Sequence, residues 1–443
     1  MANEWQWMTA ADLGRGIAGG DIDPVALTQS YLDAIEAHPL RDRIYARLTP
    51  ERALAEAAAA AARARVGRRL GPLDGVPISW KDLFDTAGVA TEAGTALLAG
   101  RVPQRDARVL RNATAAGLVC LGKTHMTELA FSGLGYNPVT QTPPSVNDPE
   151  GAPGGSSSGA ATSVAFGLAA CGIGSDTGGS VRVPSVWNDL VGLKTTSGLL
   201  SLDGVVPLVA SLDTVGPLCR TVEDAALMLG ALGGGRVPDL AGAKLEGARL
   251  MVLETAAMDG LRPEPAAGFE SAVKRLQAAG AQVEGRKVAL IDEVLALSAI
   301  VMSTEAYATW QDEIEAAPQK MFFEILERFR IGLTFSGVDF VRSWQRLREL
   351  RAEWLAVTAG YDAVIMPTAP NLPPKIALLA SDSDYYKTEN LLTLRNTRIG
   401  NLLGLASLTL PTGVPSTGIM FMTPPMSEAR LLRLGAAAEA ALA

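Results

Sequence analysis

The sequence predicts an α/β protein with a largely parallel β-sheet covered by helices on both faces. Apolar runs typical of strands alternate with helical stretches across residues 76–173, a pattern typical of sheets that are buried on both faces. The chain has 443 residues, of which 48% are hydrophobic, so it can bury a large core. Glycine-rich segments between the apolar runs predict tight turns inside that core.

The first 70 residues are predicted to be helical and to pack on the rest of the chain. Asp23-Pro24 and Thr49-Pro50 are both helix starts, with a capping residue followed by proline at the first helical position. The second helix is mostly alanine, the best helix former, and is expected to run to about Val66.

Beyond residue 70, strands and helices alternate, with a glycine-rich junction at residues 230–247. Because neither side of this junction can be separated as an independent unit, a single domain over residues 1–443 is expected. Before the junction, strands are expected at 76–80, 118–121 and 170–173, and helices at 106–116 and 160–169. After the junction, we expect strands at 248–253, 363–366, 407–410 and 419–422 and one beginning at 282, and helices at 264–279, over most of 300–358 and from 427.

Charge and composition exclude several classes of partner. The net charge of −8 argues against a nucleic-acid-binding surface, which needs clustered basic residues. The one basic cluster, Arg63 to Arg69, closes the alanine-rich helix, where cations suit the helix dipole. The N-terminus lacks the pattern of a signal peptide, and no apolar run reaches the roughly 18 residues of a membrane span. The sequence therefore predicts a cytoplasmic protein without a membrane partner.

Cysteine and histidine are too scarce and too scattered to suggest a metal site. Cys120, Cys171 and Cys219 are far apart and flanked by small or apolar residues, so buried packing is their expected role. The two histidines, His38 and His125, lie in contexts that do not require a catalytic base. A serine hydrolase on this chain would therefore have to work without histidine.

Lys81 and two serines can supply such chemistry. Lys81 follows the strand at 76–80, and the carboxyl ends of parallel strands are where ligands bind. Burial disfavours the charged form of lysine, so a buried Lys81 could act as a base for a serine hydroxyl. Ser156 and Ser180 both lie in glycine-rich segments. The alternative for Lys81 is an ordinary surface lysine paired with Asp82.

The turn before Ser180 suits an oxyanion site. Glycines at 178 and 179 let the backbone approach a substrate closely, and consecutive amides can point at one negative charge. A helix is expected from Val181, and its N-terminus adds positive potential. A flexible linker is disfavoured by the flanking apolar runs, and a phosphate loop by the lack of a Gly-Lys-Ser/Thr ending.

The segments around Lys81, Ser156 and Ser180 resemble the amidase signature family in type, order and spacing. Similar stretches cover nearly the whole chain: 184–194, 212–217, 220–226, 361–368 and 401–411. The resemblance implies one large mixed β-sheet of about ten or more strands between helical layers. It also implies an enzyme that needs no metal and no cofactor.

The resemblance further implies a role for each site residue. Ser180 would be the nucleophile, and Ser156, preceded by a cis peptide bond, would link it to Lys81. The backbone amides of Thr177, Gly178, Gly179 and Ser180 would form the oxyanion hole. Asp176 and Arg182 would hold the turn by hydrogen bonds. The remaining candidates, for the substrate pocket, are Met126, Phe131 and Trp187.

Two departures from the family pattern bear on the substrate. Ser158 occupies a position where many members have glycine, and no catalytic role is expected for it. Members that act on small carboxylated amides can have arginine three residues after the nucleophile, and here that residue is Val183. This substitution disfavours a carboxylate-bearing substrate.

The function implied by the resemblance is hydrolysis of a small or aryl carboxamide through a Ser180 acyl-enzyme. One alternative is the ammonia-releasing component of an amidotransferase of the glutaminyl-tRNA type, against which the chain is short and its second half lacks obvious matches. Another is hydrolysis of an ester, carbamate or urea-type bond at the same site. A non-enzymatic scaffold is disfavoured because all three catalytic residues are present. The oligomeric state is left open, and a homodimer is one assembly to test.

Overall fold

The structure is a computed structural model that describes the backbone of residues 2–443 and the side chains of residues 4–443, so Met1 of the expected domain lies outside it. Within this range the strands form one 11-stranded sheet. They are β1 (Tyr45–Leu48), β2 (Pro77–Lys81), β3 (Val119–Thr124), β4 (Cys171–Ser175), β5 (Val191–Lys194), β6 (Val215–Cys219), β7 (Arg249–Leu253), β8 (Gln282–Arg286), β9 (Ala363–Pro367), β10 (Ala406–Pro411) and β11 (Gly418–Thr423). Their order is β1-β3-β2-β4-β6-β5-β10-β11-β9-β7-β8.

Helices connect and cover these strands. The helices of the first half are α1 (Ala2–Trp5), α2 (Ala10–Gly19), α3 (Pro24–Ala37), α4 (Arg41–Ile44), α5 (Pro50–Arg65), α6 (Arg108–Ala115), α7 (Ser158–Ala165), α8 (Arg182–Trp187) and α9 (Val222–Leu232). Those of the second half are α10 (Pro263–Ala278), α11 (Leu290–Ala296), α12 (Ser298–Ala316), α13 (Phe323–Arg330), α14 (Gly337–Thr358), α15 (Ile376–Ser381), α16 (Ser383–Leu402) and α17 (Glu428–Leu442).

The large mixed sheet between helical layers is confirmed. In one layer, α17 contacts both α9 and α10 and packs on β10 and β11. In the other, α8 contacts α7 and α16 and packs on β5 and β10. The main apolar core draws its buried residues from the whole length of the chain, between Ala10 and Leu442. Both faces of the sheet are therefore covered.

The expectation of a largely parallel sheet is wrong. Four strand pairings are parallel (β2-β3, β2-β4, β7-β8 and β7-β9) and six are antiparallel. Two strands between residues 191 and 219 were not expected, because they are short and contain glycine or proline. The connection between β10 and β11 spans only residues 412–417, which is too short for a parallel crossover.

The first 70 residues are mostly helical, as expected, but they also contribute a strand. Asp23 caps α3 by accepting hydrogen bonds from the amides of Val25 and Ala26. The unexpected strand is β1, which pairs antiparallel with β3 at one edge of the sheet. It has only four residues and no alternation of buried and exposed positions, so its sequence carries no strand signal.

Arg220 connects the N-terminal segment to the sheet. It follows β6, and its guanidinium donates hydrogen bonds to carbonyl groups on three stretches of chain. The acceptors are the carbonyls of Gln6, Met8, Val164, Ala169 and Ala170. Because carbonyls in such a partly buried position need donors, one side chain stabilises the contact between the chain start, α7 and β4.

Arg220→Met is expected to lower the free energy of unfolding by about 3 kcal/mol, since several carbonyls would lose their donor together. Chemical denaturation monitored by circular dichroism measures this change. The matched control is Arg15→Met, which removes an exposed guanidinium paired with Asp12 and Glu223. The control should change stability by less than about 1 kcal/mol. An equal effect of both variants would contradict the role given to Arg220.

Candidate active site

Lys81 lies at the carboxyl end of β2 with its side chain fully buried. Its Nζ is 2.6 Å from Ser156 Oγ and 2.8 Å from Ser175 Oγ. Ser175 ends β4, the parallel neighbour of β2, so both residues reach the same edge of the sheet. The alternative of a surface lysine paired with Asp82 is excluded, because Asp82 contacts Lys123 at 3.2 Å and Arg47 at 3.3 Å instead.

The surroundings of Lys81 lower its pKa far enough for a substantial fraction of the amine to be neutral near neutral pH. Burial lowers the pKa of Lys81 to about 7, while the charges of Asp213 and Asp176 act in the opposite direction. The hydroxyls of Ser156 and Ser175 are neutral neighbours that solvate the amine without adding a counter-charge. Desolvation is therefore the larger effect.

Ser156 lies in a turn between the loop at 133–155 and α7. The Gly155–Ser156 peptide bond is cis. The amides of Gly154 and Gly155 donate to the carbonyls of Leu134 and Gly133, at 3.1 and 2.8 Å. A Cβ atom on Gly155 would lie 2.6 Å from the Gly135 nitrogen, so the loop packs directly against the turn and leaves no room for a side chain.

Ser180 lies beside this turn. The amide of Ser157 donates to the Ser180 carbonyl at 3.2 Å, which joins the two serine segments through the backbone. Ser180 retains 4% exposure, whereas Ser156 has none. Among the hydrogen bonds of residues 4–443, none joins the hydroxyls of Ser156 and Ser180. The structure thus brings together the lysine and both serines, with the Lys81–Ser156 hydrogen bond formed.

A buried ion pair between Asp176 and Arg182 holds the turn that carries Ser180. Asp176 Oδ1 accepts from Arg182 Nη2 at 2.9 Å and Oδ2 accepts from Arg182 Nε at 3.0 Å. Asn401, from α16, donates to Asp176 Oδ1 and accepts from Arg182 Nη2. Burial alone would raise the pKa of Asp176, but the charge and hydrogen bonds of Arg182 outweigh it and keep that pKa below its ordinary value.

The amide of Gly179 is engaged by Asp176 and not free for an oxyanion. Gly179 N donates to Asp176 Oδ1 at 2.8 Å. The amides of Thr177, Gly178 and Ser180 have no acceptor among the described residues. Gly179 has a φ of +139°, and a Cβ atom there would overlap the Thr397 hydroxyl. Of the four amides expected to form the oxyanion hole, three are therefore available, and Gly179 shapes the turn.

Thr177 and Asp213 form a second buried contact at the turn. The Thr177 hydroxyl donates to Asp213 Oδ1 at 2.5 Å. Asp213 also accepts from the amides of Leu208 and Val209. Burial raises the pKa of Asp213, whereas these hydrogen bonds and Lys81 lower it. The turn is thus fixed from both sides, by Asp176 and by Asp213.

The three residues expected in the substrate pocket are all buried, and each has different neighbours. Met126 packs beside Gly94. Phe131 contacts Phe329 edge-to-face, with ring centroids 4.7 Å apart. Trp187 donates to the Asn371 carbonyl at 3.3 Å and packs under Gly154.

The histidines and cysteines, for which the sequence predicts no catalytic role, form no hydrogen bond with Lys81, whose Nζ donates to Ser156 and Ser175. His125 is largely buried, and burial lowers its pKa to about 4. His38 packs against Phe166, with ring centroids 5.3 Å apart and ring planes tilted by 60°. The three cysteines are free and buried, as expected. Across residues 4–443, no group of three or more His, Cys, Asp or Glu side chains is placed to hold a metal ion. No helix in the described part of the chain is long and apolar enough to span a membrane.

Known proteins share this fold and these sequence segments. A family model described as Amidase matches residues 26–432. The chain belongs to the amidase signature family, and it is a hydrolase that acts on amide C–N bonds. It is 34% identical over 425 residues to 2-amino-5-chloromuconic acid deaminase from Comamonas testosteroni, covering 93% of this chain and 92% of that protein.

Two further similarities widen the range of relatives. The A subunit of glutamyl-tRNA(Gln) amidotransferase from Chloroflexus aurantiacus is 31% identical, covering 98% of this chain and 96% of that protein. The crystal structure of peptide amidase from Stenotrophomonas maltophilia superimposes with a TM-score of 0.84 at 29% identity, covering 98% of this chain and 96% of that one. The expectation that the second half lacks similarity to amidotransferase subunits is wrong, because the alignment spans both halves.

Sequence reasoning missed several residues that contact the site. Ser175 could have been found, because it ends a strand beside Lys81 and precedes Asp176 in the same turn. Thr397 and Arg398 carry no such signal. They reach the turn from α16, more than 200 positions along the chain, and the Thr397 hydroxyl donates to the Gly178 carbonyl at 2.6 Å.

Asp176→Asn is expected to destabilise the protein by about 3–5 kcal/mol, because the buried Arg182 guanidinium would lose its counter-charge. Thermal denaturation measures the loss as a lower Tm. The matched control is Glu349→Gln, which breaks an exposed pair with Arg346 and should change stability by less than about 1 kcal/mol. A Tm of Asp176→Asn equal to that of the control would refute this role.

Proposed function

We propose that this protein is an amidase that hydrolyses a small or aryl carboxamide through an acyl-enzyme on Ser180. The observation that carries the proposal is the buried Lys81 amine, hydrogen-bonded to Ser156 in a turn whose backbone contacts Ser180. Burial favours the neutral amine, which can accept a proton. Membership of the amidase signature family supports the reaction class.

Acylation begins with proton transfer from Ser180 through Ser156 to Lys81. Lys81 accepts a proton from Ser156 while Ser156 accepts one from Ser180, and Ser180 Oγ attacks the carbonyl carbon of the amide. The Ser156–Ser180 hydrogen bond that this relay needs forms when substrate binds, as catalytic hydrogen bonds often tighten only in the complex. The amides of Thr177, Gly178 and Ser180 then donate to the oxyanion.

Collapse of the tetrahedral intermediate breaks the carbon–nitrogen bond. The proton held by Lys81 passes through Ser156 to the leaving nitrogen, which departs as a neutral amine or ammonia. A water molecule then loses a proton to the same relay and attacks the Ser180 ester. The acid leaves, and Ser180 recovers its proton. The cycle balances with the amide and one water molecule consumed and the acid and the amine or ammonia released.

The proposal extends to how the protein works as a whole. We place the entire chain in one amidase domain, since a single sheet takes strands from residues 45–423. We propose a cytoplasmic enzyme without a metal or cofactor and without nucleic-acid or membrane partners, based on its charge of −8 and its sequence pattern. A homodimer is the assembly to test first.

A second candidate is the ammonia-releasing component of an amidotransferase. The similarity over 98% of this chain to one subunit of glutamyl-tRNA(Gln) amidotransferase favours it. The same Ser180 chemistry would then act on glutamine with a partner protein present. Glutamine therefore belongs in the panel of compounds that tests the function.

Purified protein should release amine or ammonia from members of a panel of aliphatic and aryl amides, esters, carbamates, urea-type compounds and glutamine. Ser180→Ala is expected to lower kcat by about 10⁴-fold or more, because it removes the nucleophile. The matched control is Ser158→Ala at the start of α7, where the Ser158 hydroxyl donates only to the His125 carbonyl at 3.4 Å. Ser180→Ala activity above about a tenth of wild type would end the assignment, since losing a nucleophile costs far more.

The rate should depend on pH through Lys81. Its pKa lies near 7 because of burial, so the amine is protonated and inactive below that pH and neutral above it. We expect kcat/KM to rise from pH 5 through about 7 and then level off, and Lys81→Met to abolish most activity. Initial rates on the best amide of the panel, between pH 5 and 9, measure the profile. A flat profile down to pH 5 would exclude a lysine base.

A further inference from the structure

Two of the three nitrogens of the Arg398 guanidinium are buried without a hydrogen-bond partner. Arg398 is 9% exposed. Its Nε and Nη2 atoms are inaccessible to solvent and have no hydrogen-bond acceptor among the described residues. Buried charges in proteins are normally paired, so an unpaired one near a catalytic turn calls for a ligand.

A second arginine, Arg328, further destabilises the unpaired Arg398 cation in the protein without a ligand. Arg328 lies close enough to repel Arg398, and burial together with that repulsion lowers the pKa of Arg398 to about 9. Arg398 is therefore still a cation at neutral pH. Arg328 has its own contacts, because its Nη1 donates to the Phe131 carbonyl at 2.9 Å and its guanidinium lies 4.4 Å from the centre of the Phe131 ring.

None of the buried carboxylates among the described residues forms a hydrogen bond or ion pair with Arg398 Nε or Nη2. Asp176 binds Arg182. Asp213 binds Thr177. Glu128 accepts from the Thr95 hydroxyl and from the amide of Phe322. Glu324, on α13, has Lys387 Nζ at 3.7 Å, and its buried Oε2 has no hydrogen-bond partner. None of these carboxylates pairs with Arg398, so the guanidinium is without a counter-ion.

The position of Arg398 ties it to the reaction centre. A Cβ atom on Gly178 would lie 3.4 Å from Arg398 Cγ, and the preceding residue, Thr397, donates to the Gly178 carbonyl. The unpaired Nε and Nη2 atoms form one edge of the guanidinium. Two parallel N–H groups on such an edge match the two oxygens of a carboxylate.

We propose that Arg398 binds a carboxylate group of the substrate, so that the enzyme acts on amides that also carry a carboxylate a few bonds from the amide carbonyl. This inference rests on the proposed amidase function and names its substrate class. Val183, in the helix that follows Ser180, led us to expect a substrate without a carboxylate. The proposal differs from that expectation because the arginine lies on α16 instead. The carboxylate supplies the counter-charge that the buried guanidinium lacks.

Matched pairs of amides test the proposal by kinetics. The pairs are malonamate with propionamide, succinamate with butyramide, and glutaramate with valeramide, in which a carboxylate replaces a methyl group. For at least one pair, wild-type kcat/KM should favour the carboxylate about thirtyfold or more, and Arg398→Met should lower that ratio by a similar factor. The matched control is Arg395→Met on the same helix, whose Nη2 contacts the Ala257 carbonyl and which should leave the ratio unchanged.

Thermal denaturation separates binding from a structural role. Because Arg398 has no partner in the folded protein, Arg398→Met should keep or raise the Tm. A Tm lower by several degrees, with the preference for carboxylates unchanged, would assign Arg398 to stability and overturn the proposal. Absence of a carboxylate preference in all three pairs would also overturn it, even if the neutral amides are hydrolysed and the amidase function stands.

Calorimetry on Ser180→Ala tests whether Arg398 binds the carboxylate when no turnover occurs. The three carboxylated amides should bind at least about thirtyfold more tightly than their neutral partners, and the added Arg398→Met change should remove the difference. If this binding difference is found while the wild type hydrolyses no amide of any panel, carboxylate binding by Arg398 is supported and the proposed amidase function fails. If Arg398→Met leaves the difference in affinity intact, Arg398 does not bind the carboxylate.

Discussion

The buried ion pair between Asp176 and Arg182 is the interaction on which the site depends. Both side chains are fully buried, and each carboxylate oxygen of Asp176 accepts from the Arg182 side chain and from a turn amide. A pair of this kind is stable only when its remaining hydrogen-bonding groups are satisfied. Asn401 provides that from α16, so the turn that carries Ser180 takes its shape from a residue 225 positions away.

The same low-dielectric interior has different consequences for three charged side chains. Asp176 has Arg182 beside it and remains ionised. Lys81 has only hydroxyl groups within hydrogen-bond distance, and burial lowers its pKa to about 7. Arg398 has neither a counter-ion nor a hydrogen-bond acceptor among the described residues. In our interpretation these three states correspond to three tasks: holding the turn, accepting a proton and binding an anionic group.

Much of the fold could be predicted, because local signals are strong where elements are long or capped. The helix starts at Asp23-Pro24 and at Thr49-Pro50 were correct. The Thr49 hydroxyl, however, donates to the Cys120 carbonyl and does not cap its helix. The strand β1 and the antiparallel centre of the sheet were missed, since strand direction depends on which strands become neighbours and local sequence does not carry that information.

The sequence by itself determined the chemical groups and the backbone freedom of the site: a lysine after a strand, two serines in glycine-rich turns, and family membership recognisable from those segments. Only the tertiary structure decided the environment of each group. It showed that Ser175 is the second partner of Lys81, that the Gly179 amide binds Asp176, and that Arg398 lies unpaired beside Gly178. The physical reason is that burial and pairing set the protonation and availability of a group, and both arise from chain segments that are distant in sequence.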